Sequence, residues 1–232
     1  MPRVSLSPDG KHLLDEQHLL IAERYRFRRI SELASRVKAL AGIRLNPSNN
    51  GPALPEYYFR MSLKNIASGK KTSLKLPGSS KRFSLPIWSP DGKNFALLQY
   101  NSTEVLIHVG NADTGAIKSF PKIKLNAAAG RTFQWLPNSK GLLCLTIPAG
   151  RGKPPTPAKA PAGPVVQETG PKEAAVLTYP DLLQNEHDEK LFDYYLTAQL
   201  TTVDIKTSRS RNLGRPSIFG RFDVSPDGRY VL

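Results

Sequence analysis

Four histidines, His12, His18, His108 and His187, and one cysteine, Cys144, are the side chains of this 232-residue chain best suited to proton transfer or nucleophilic attack near neutral pH. A catalytic histidine needs a serine or thiol within hydrogen-bond reach and a carboxylate to orient it. No spacing in the chain brings such a set together, and the GxSxG pattern that raises a serine on a sharp strand-to-helix turn is absent. The histidines therefore read as surface or half-buried structural residues. HExxH and CxxC pairs are also missing, so no metal and no organic cofactor is expected. Asp181, Glu186, Asp188, Glu189 and Asp193 surround Leu182, Leu183, Leu191, Phe192 and Tyr195. That spacing suits a short helix with an acidic outer face and an apolar inner one, in preference to a metal or peptide site. Arg24, Arg26, Arg28 and Arg29, followed by Arg36 and Lys38, form the densest basic cluster. It reads as a solvated face, or as a face turned to an acidic partner domain.

The elements that hold these residues must come from an ordinary globular composition. Hydrophobic residues make up 39% of the chain, enough for a core, and a single cysteine excludes an internal disulfide framework. No apolar run approaches the roughly 18 residues that span a bilayer. Lys and Arg number 33 against 19 Asp and Glu, a net charge of +14. The excess lies in the first two thirds, because residues 156–232 are close to neutral. Aromatic residues do not alternate with the basic cluster as they do on single-strand stacking platforms, so nucleic acid is not an expected partner.

A repeat organises the chain. SPDG stands at 7–10, 89–92 and 225–228, and WLPNSKGLLCL at 135–145 is a degenerate copy of the same frame. Each copy places an apolar stretch, a proline-led turn and a second apolar stretch in order, which is the grammar of a β-hairpin. Pro90 and Pro137 lie 47 residues apart, the length of one four-stranded propeller blade. Pro8 to Pro90 is 82 residues and Pro137 to Pro226 is 89, so each of these intervals holds one blade plus an insertion. The expected fold is all-β: a partial β-propeller of about three blades out of seven or eight. The insertions fall at about 15–56, with a short helix near 30–41, where Leu33, Val37 and Leu40 are spaced by four and three, and at 149–196. The second insertion opens with seven prolines within 148–171, which dictate an extended arm, and closes with the acidic helix.

The ordered segments LAGIRLNPSNNGP (40–52), PIWSPDGKNFALL (86–98), LNAAAGRTFQWLPNSKGLL (125–143), IPAGRGKPP (147–155), AGPVVQE (162–168), TYPDLLQNEHDEKLFDYYLTAQL (178–200) and SPDGRYVL (225–232) resemble the glutamyl endopeptidase branch of the prolyl oligopeptidase family. The inserted arm and acidic helix carry most of the specificity, since SPDG occurs in many propellers.

The resemblance implies an N-terminal propeller that admits or positions peptides for a C-terminal α/β-hydrolase domain, where a serine attacks the peptide carbonyl, a histidine moves the proton and an oxyanion hole holds the developing charge. None of those catalytic groups is expected within residues 1–232, which read as a propeller fragment, inactive alone, whose partners are the hydrolase domain and peptide substrates. Cleavage after glutamate calls for a cation near the substrate carboxylate. Arg44 and Arg151 lie on the inserted elements and are the candidates for substrate or interdomain contact. The branch includes proteins of the chloroplast stroma and of bacterial compartments, and no membrane contact is implied. The competing reading is a stand-alone basic propeller that serves as a scaffold for protein or nucleic acid.

Overall fold

A computed structural model describes residues 3–6, 18–23, 37–66, 68–157 and 182–232, with side chains from residue 37 onward. In chain order the first strands are β1 (Arg3–Leu6), β2 (His18–Glu23), β3 (Lys38–Leu40), β4 (Ile43–Asn46), β5 (Gly51–Pro52), β6 (Arg60–Asn65) and β7 (Lys71–Ser73). There follow β8 (Ile87–Trp88), β9 (Asn94–Tyr100), β10 (Val105–Asn111) and β11 (Ile117–Ser119). The last are β12 (Phe133–Trp135), β13 (Gly141–Thr146), a helix α1 (Glu186–Leu196), β14 (Thr197–Asp204) and β15 (Ser210–Ile218).

These strands form three four-stranded antiparallel meanders: β1-β2-β6-β7, β8-β9-β10-β11 and β12-β13-β14-β15. One meander per repeat is the arc of a β-propeller, with three blades as the repeat spacing requires. A small sheet, β3-β4-β5, stands apart from them.

The repeat is a hydrogen-bond device. Ser89 Oγ donates to Asp91 Oδ1 at 2.6 Å and accepts from the Asn94 amide at 3.0 Å. Asp91 Oδ1 also accepts from the Lys93 amide at 3.1 Å, and Gly92 closes the turn at φ +69°. Ser225, Asp227, Arg229 and Tyr230 reproduce every one of these bonds around Gly228, at φ +72°. In the degenerate copy Asn138 Oδ1 replaces the aspartate, accepting from the Lys140 amide at 2.9 Å, and Ser139 takes the left-handed corner at φ +59°. The copy at 7–10 lies outside the described residues.

Blades pack face to face, so their middle strands are apolar on both sides. β10 is buried from Val105 through Gly110, and β13 along its whole length. Leu98, Val105, Ile107 and Val109 of the second blade meet Phe133, Trp135, Leu142 and Cys144 of the third. Met61 and Leu63 of the first blade meet Trp88, Phe95 and Leu97 of the second. Beyond the third blade, a further hairpin bridged at Val224 and Val231 packs Phe222 and Val224 on Leu143 and Leu145.

The insertions differ from expectation in two details. Most of the helix expected near 30–41 lies outside the described residues, and its described end, Lys38–Leu40, is a strand. Ala41 and Gly42, at φ +48° and +79°, form a two-residue turn into β4, and left-handed geometry at both corners selects a tight hairpin over a helix. The spacing that suggested a helix instead puts Leu40 beneath α1. The first insertion also begins later than residue 15. His18–Glu23 is a blade strand paired along its length with β6, leaving the stretch between Glu23 and Arg60 as the interruption. The second insertion interrupts the third blade between β13 and β14, as the sequence indicates.

Candidate functional site

Both insertions leave their blades between the second and third strands, and they meet. Leu40 and Leu45 of the hairpin pack on Leu191, Tyr195 and Leu196 of α1, with Ala128 of the segment between β11 and β12 beside them. α1 forms because Asn185 caps it, its side chain accepting from the Asp188 amide at 3.0 Å, and because Glu186, Asp188 and Glu189 oppose the positive end of the helix dipole. Its other end has no basic residue of its own, and neighbouring segments supply the missing donors.

Asn126 Nδ2 donates to the carbonyls of Tyr195 and Thr197, both at 2.9 Å. Asn50 Nδ2 donates to Asn126 Oδ1 at 2.6 Å and to the Tyr195 carbonyl at 3.2 Å. Asn50 sits at φ +55°, a corner that asparagine tolerates better than most residues, and this aims its amide inward. Arg151 Nη1 donates to Asn50 Oδ1 at 2.8 Å, and the guanidinium lies 4.3 Å from the centre of the Tyr194 ring. Tyr194 OH returns a bond to the Gly152 carbonyl at 3.0 Å, which fastens the arm to the helix. A cation stacked on an aromatic ring at a helix C-terminus satisfies both quadrupole and dipole.

Of the two arginines singled out from the sequence, Arg151 is thus woven into this junction. Arg44 lies on the exposed face of β4, opposite Ala39, and its carbonyl accepts from the Ala53 amide at 3.0 Å. The acidic residues of α1 face outward, with Glu186 in an exposed ion pair with Lys190 at 2.6 Å. Asp181 and most of the basic cluster lie outside the described residues. So does His12; His18 is on β2 and His187 in the first turn of α1.

His108 is deeply buried, where the sequence reading expects a surface or half-buried histidine. Gln99 Nε2 donates to the carbonyls of Pro77 at 3.1 Å and Ser80 at 2.8 Å, so Gln99 Oε1 is an acceptor. His108 Nε2, 3.1 Å away, therefore carries the proton, and Nδ1 accepts from Ser119 Oγ at 2.9 Å. Burial lowers the His108 pKa to about 4, so the ring is neutral and structural. Cys144 is wholly buried and its thiol is pushed up to about 12, which removes it as a nucleophile. Among the described residues no three His, Cys, Asp or Glu side chains are grouped to hold a metal ion.

A cavity of about 440 Å³ opens beside the junction, between the second and third blades. Pro52 of the first insertion, Leu98, Tyr100, Arg131, Thr132 and Phe133 are among the residues that line it. Nothing in the sequence pattern singled these residues out.

No family model matches the chain. Two named relatives do. A probable chloroplastic glutamyl endopeptidase from Oryza sativa subsp. japonica is 27% identical over 246 residues, and one from Arabidopsis thaliana is 29% identical over the same length. Each alignment takes in 100% of this chain. The chain is similar in sequence to two probable glutamyl endopeptidases. It spans 25% of the length of either plant protein. Among solved structures, a putative TolB from Agrobacterium tumefaciens is similar at a TM-score of 0.44 and 14% identity, over 98% of this chain and 51% of that one. A structure from a study of two prolyl endopeptidases is similar at 0.43 and 16%, over 85% and 25%. An acylaminoacyl peptidase from Pyrococcus horikoshii follows at 0.37 and 13%, over 92% and 25%. Among the described residues no helix is long and apolar enough to cross a membrane.

Proposed function

We propose that this chain is the non-catalytic propeller part of a serine peptidase of the prolyl oligopeptidase family, gating or positioning peptides for an α/β-hydrolase domain. The observation that carries the reading is the match of the entire chain, insertions included, to a quarter of each named peptidase. Acyl transfer then belongs to the hydrolase domain, and the propeller contributes selection: it restricts what reaches the serine and orients what arrives.

Arg44 and Arg151 are the proposed contacts to substrate or to the hydrolase domain. Arg151 is favoured by its fixed pose, since a guanidinium already stacked and hydrogen-bonded loses little freedom on meeting a carboxylate.

The test is hydrolysis of a chromogenic peptide with glutamate at the cleaved position. Residues 1–232 are compared with the protein extended through its downstream reading frame. Activity confined to the extended protein supports the reading, and silence in both, from folded samples, overturns it in favour of a scaffold. Charge reversal at Arg44 or Arg151 in the extended protein raises KM for glutamyl substrates; unchanged kinetics removes these residues from the proposal.

A further inference from the structure

Asn50 and Gly51 form the sole Asn-Gly pair of the chain. Such a pair carries a latent reaction: the glycine nitrogen can attack the asparagine side-chain carbonyl, and glycine, having no Cβ, leaves that approach unobstructed. In the attack the bond between the Gly51 nitrogen and Asn50 Cγ forms, the Cγ–Nδ2 bond breaks, and the Gly51 amide proton departs with Nδ2 as ammonia. Water then adds to one carbonyl of the five-membered imide. Opening at Cγ gives aspartate, and opening at the backbone carbonyl gives isoaspartate, whose main chain runs through the former side chain.

The fold both imposes this pair and restrains it. A Cβ on Gly51 would stand 2.9 Å from Val105 Cγ2 and 3.0 Å from Asn49 Oδ1, so a larger residue does not fit without a shift. Asn50 and Gly51 are both buried. The nucleophile is engaged: the Gly51 amide donates to Asn49 Oδ1 at 2.9 Å, and Asn49 is itself fixed by its bond to the Asn101 carbonyl. The leaving group is engaged too, since Nδ2 of Asn50 gives its two protons to Asn126 Oδ1 and to the Tyr195 carbonyl. The backbone around it is pinned by bonds from the Asn50 amide to the Asn46 carbonyl at 3.0 Å and from the Ala127 amide to the Asn50 carbonyl at 2.9 Å. Arg151 polarises the Asn50 side-chain carbonyl toward attack. The restraint is therefore the hold on Nδ2 and on the Gly51 amide, both of which ring closure must break.

We propose that Asn50–Gly51 is a deamidation site latched by the junction between the two insertions. It stays an amide while Asn126 and the Tyr195 carbonyl hold it, converts when they let go, and then keeps the junction from closing again. The one-way character follows from the products. A carboxylate at this position has no N–H for Asn126 Oδ1 or the Tyr195 carbonyl and faces both with negative charge. Turning the Asn126 amide over to meet it would take donors from the Tyr195 and Thr197 carbonyls. Isoaspartate adds a carbon to the main chain at the φ +55° corner and so displaces the backbone bonds on either side. Water is the one co-reactant, and the inference stands apart from the peptidase reading.

The folded chain and a blocked peptide of residues 46–55 are aged side by side at neutral pH, and conversion is read by mass spectrometry on the tryptic fragment 45–60, whose mass rises as amide becomes acid. The expected result is conversion at least about tenfold slower in the folded chain, because the pair reacts only from an opened state. Asn126→Ala, which loosens the latch, brings the rate toward that of the peptide. Gly110→Ala, a destabilising change in the second blade away from the junction, leaves it slow. Should Asn126→Ala fail to fold, Tyr194→Phe removes only the hydroxyl bond to the Gly152 carbonyl and gives a smaller acceleration, whose absence overturns the latch. A folded chain that converts at the rate of the peptide overturns it, and so does equal acceleration by Asn126→Ala and Gly110→Ala, which would assign the reaction to global unfolding. Hydrogen exchange on the converted chain tests the one-way step: amides in the last turn of α1 should have lost protection, and full protection there overturns that part of the proposal.

Discussion

The backbone amide of Asp91 donates to Ser139 Oγ at 3.1 Å, tying the turn between β8 and β9 to the corresponding turn between β12 and β13 of the next blade. The serine that replaces the repeat's glycine thus does two jobs: it holds a left-handed corner, at some conformational cost, and offers the hydroxyl that glycine lacks. Ser139→Ala keeps the strained corner and strands a polar group, so it should lower unfolding free energy by about 1–2 kcal/mol in urea titrations. Ser139→Gly loses the same bond but relieves the corner and should cost less. If glycine proved the more harmful, the interblade bond would not be what stabilises the turn.

His108 sets a pH window. Its folded pKa, about 4, lies below its ordinary value of 6.5, so the unfolded chain binds a proton that the folded chain refuses. Stability is complete above pH 6.5 and declines as pH falls toward 4, by about 3 kcal/mol for a shift of this size. The carboxyls of Asp204, Asp223 and Asp227 are held below their ordinary range by hydrogen bonds, and their contributions are lost only at lower pH. Urea midpoints measured from pH 7 to pH 4 should follow this slope, and it should flatten in His108→Asn. A ring that titrates by NMR near 6.5 in the native state would contradict the burial.

Asn126 is the hub of the junction between the insertions. Asn126→Ala strips donors from the Tyr195 and Thr197 carbonyls and an acceptor from Asn50 in a buried setting, which should cost about 3 kcal/mol. Asn126→Asp should be worse than alanine, because a carboxylate would face two carbonyl oxygens. Hydrogen exchange is the more telling readout: amides in the last turn of α1 should lose protection before those of β10. Equal loss in both would mean that the junction and the blades unfold as one unit.

Gly110 faces Phe95 across the second blade, and a Cβ there would stand 2.1 Å from the ring. Gly110→Ala should destabilise by about 1–3 kcal/mol, with Phe95→Leu in the same chain recovering part of the loss. Non-additivity in that double-mutant cycle is the signature to look for.

The blades were legible because their turns are local. Ser, Asp and Gly at 89–92 and at 225–228 complete their bond pattern with the amides of the next two residues, and α1 announces itself by acidic residues beside an apolar stripe. The hairpin at Lys38–Asn46 was not legible, since strands of three and four residues imitate one turn of helical spacing. The asparagine network left no trace either: Asn50 and Asn126 are 76 residues apart, and Asn50 lies 145 from Tyr195. Polar residues acquire such partners only from topology, and the same is true of His108 with Gln99.

Asn49 Nδ2 donates to the carbonyl of Asn101 at 2.7 Å, so the first insertion rests on the short loop joining β9 to β10, the place where the middle blade carries no insertion of its own. The strap formed by the two insertions therefore crosses a gap that the second blade leaves open. On the ribosome this imposes an order of assembly. Asn50 emerges 145 residues before Tyr195, an interval on the order of ten seconds at usual elongation speeds. Throughout it Leu40 and Leu45 lack their final cover, and a chaperone that shields the nascent hairpin would be of most use in that interval.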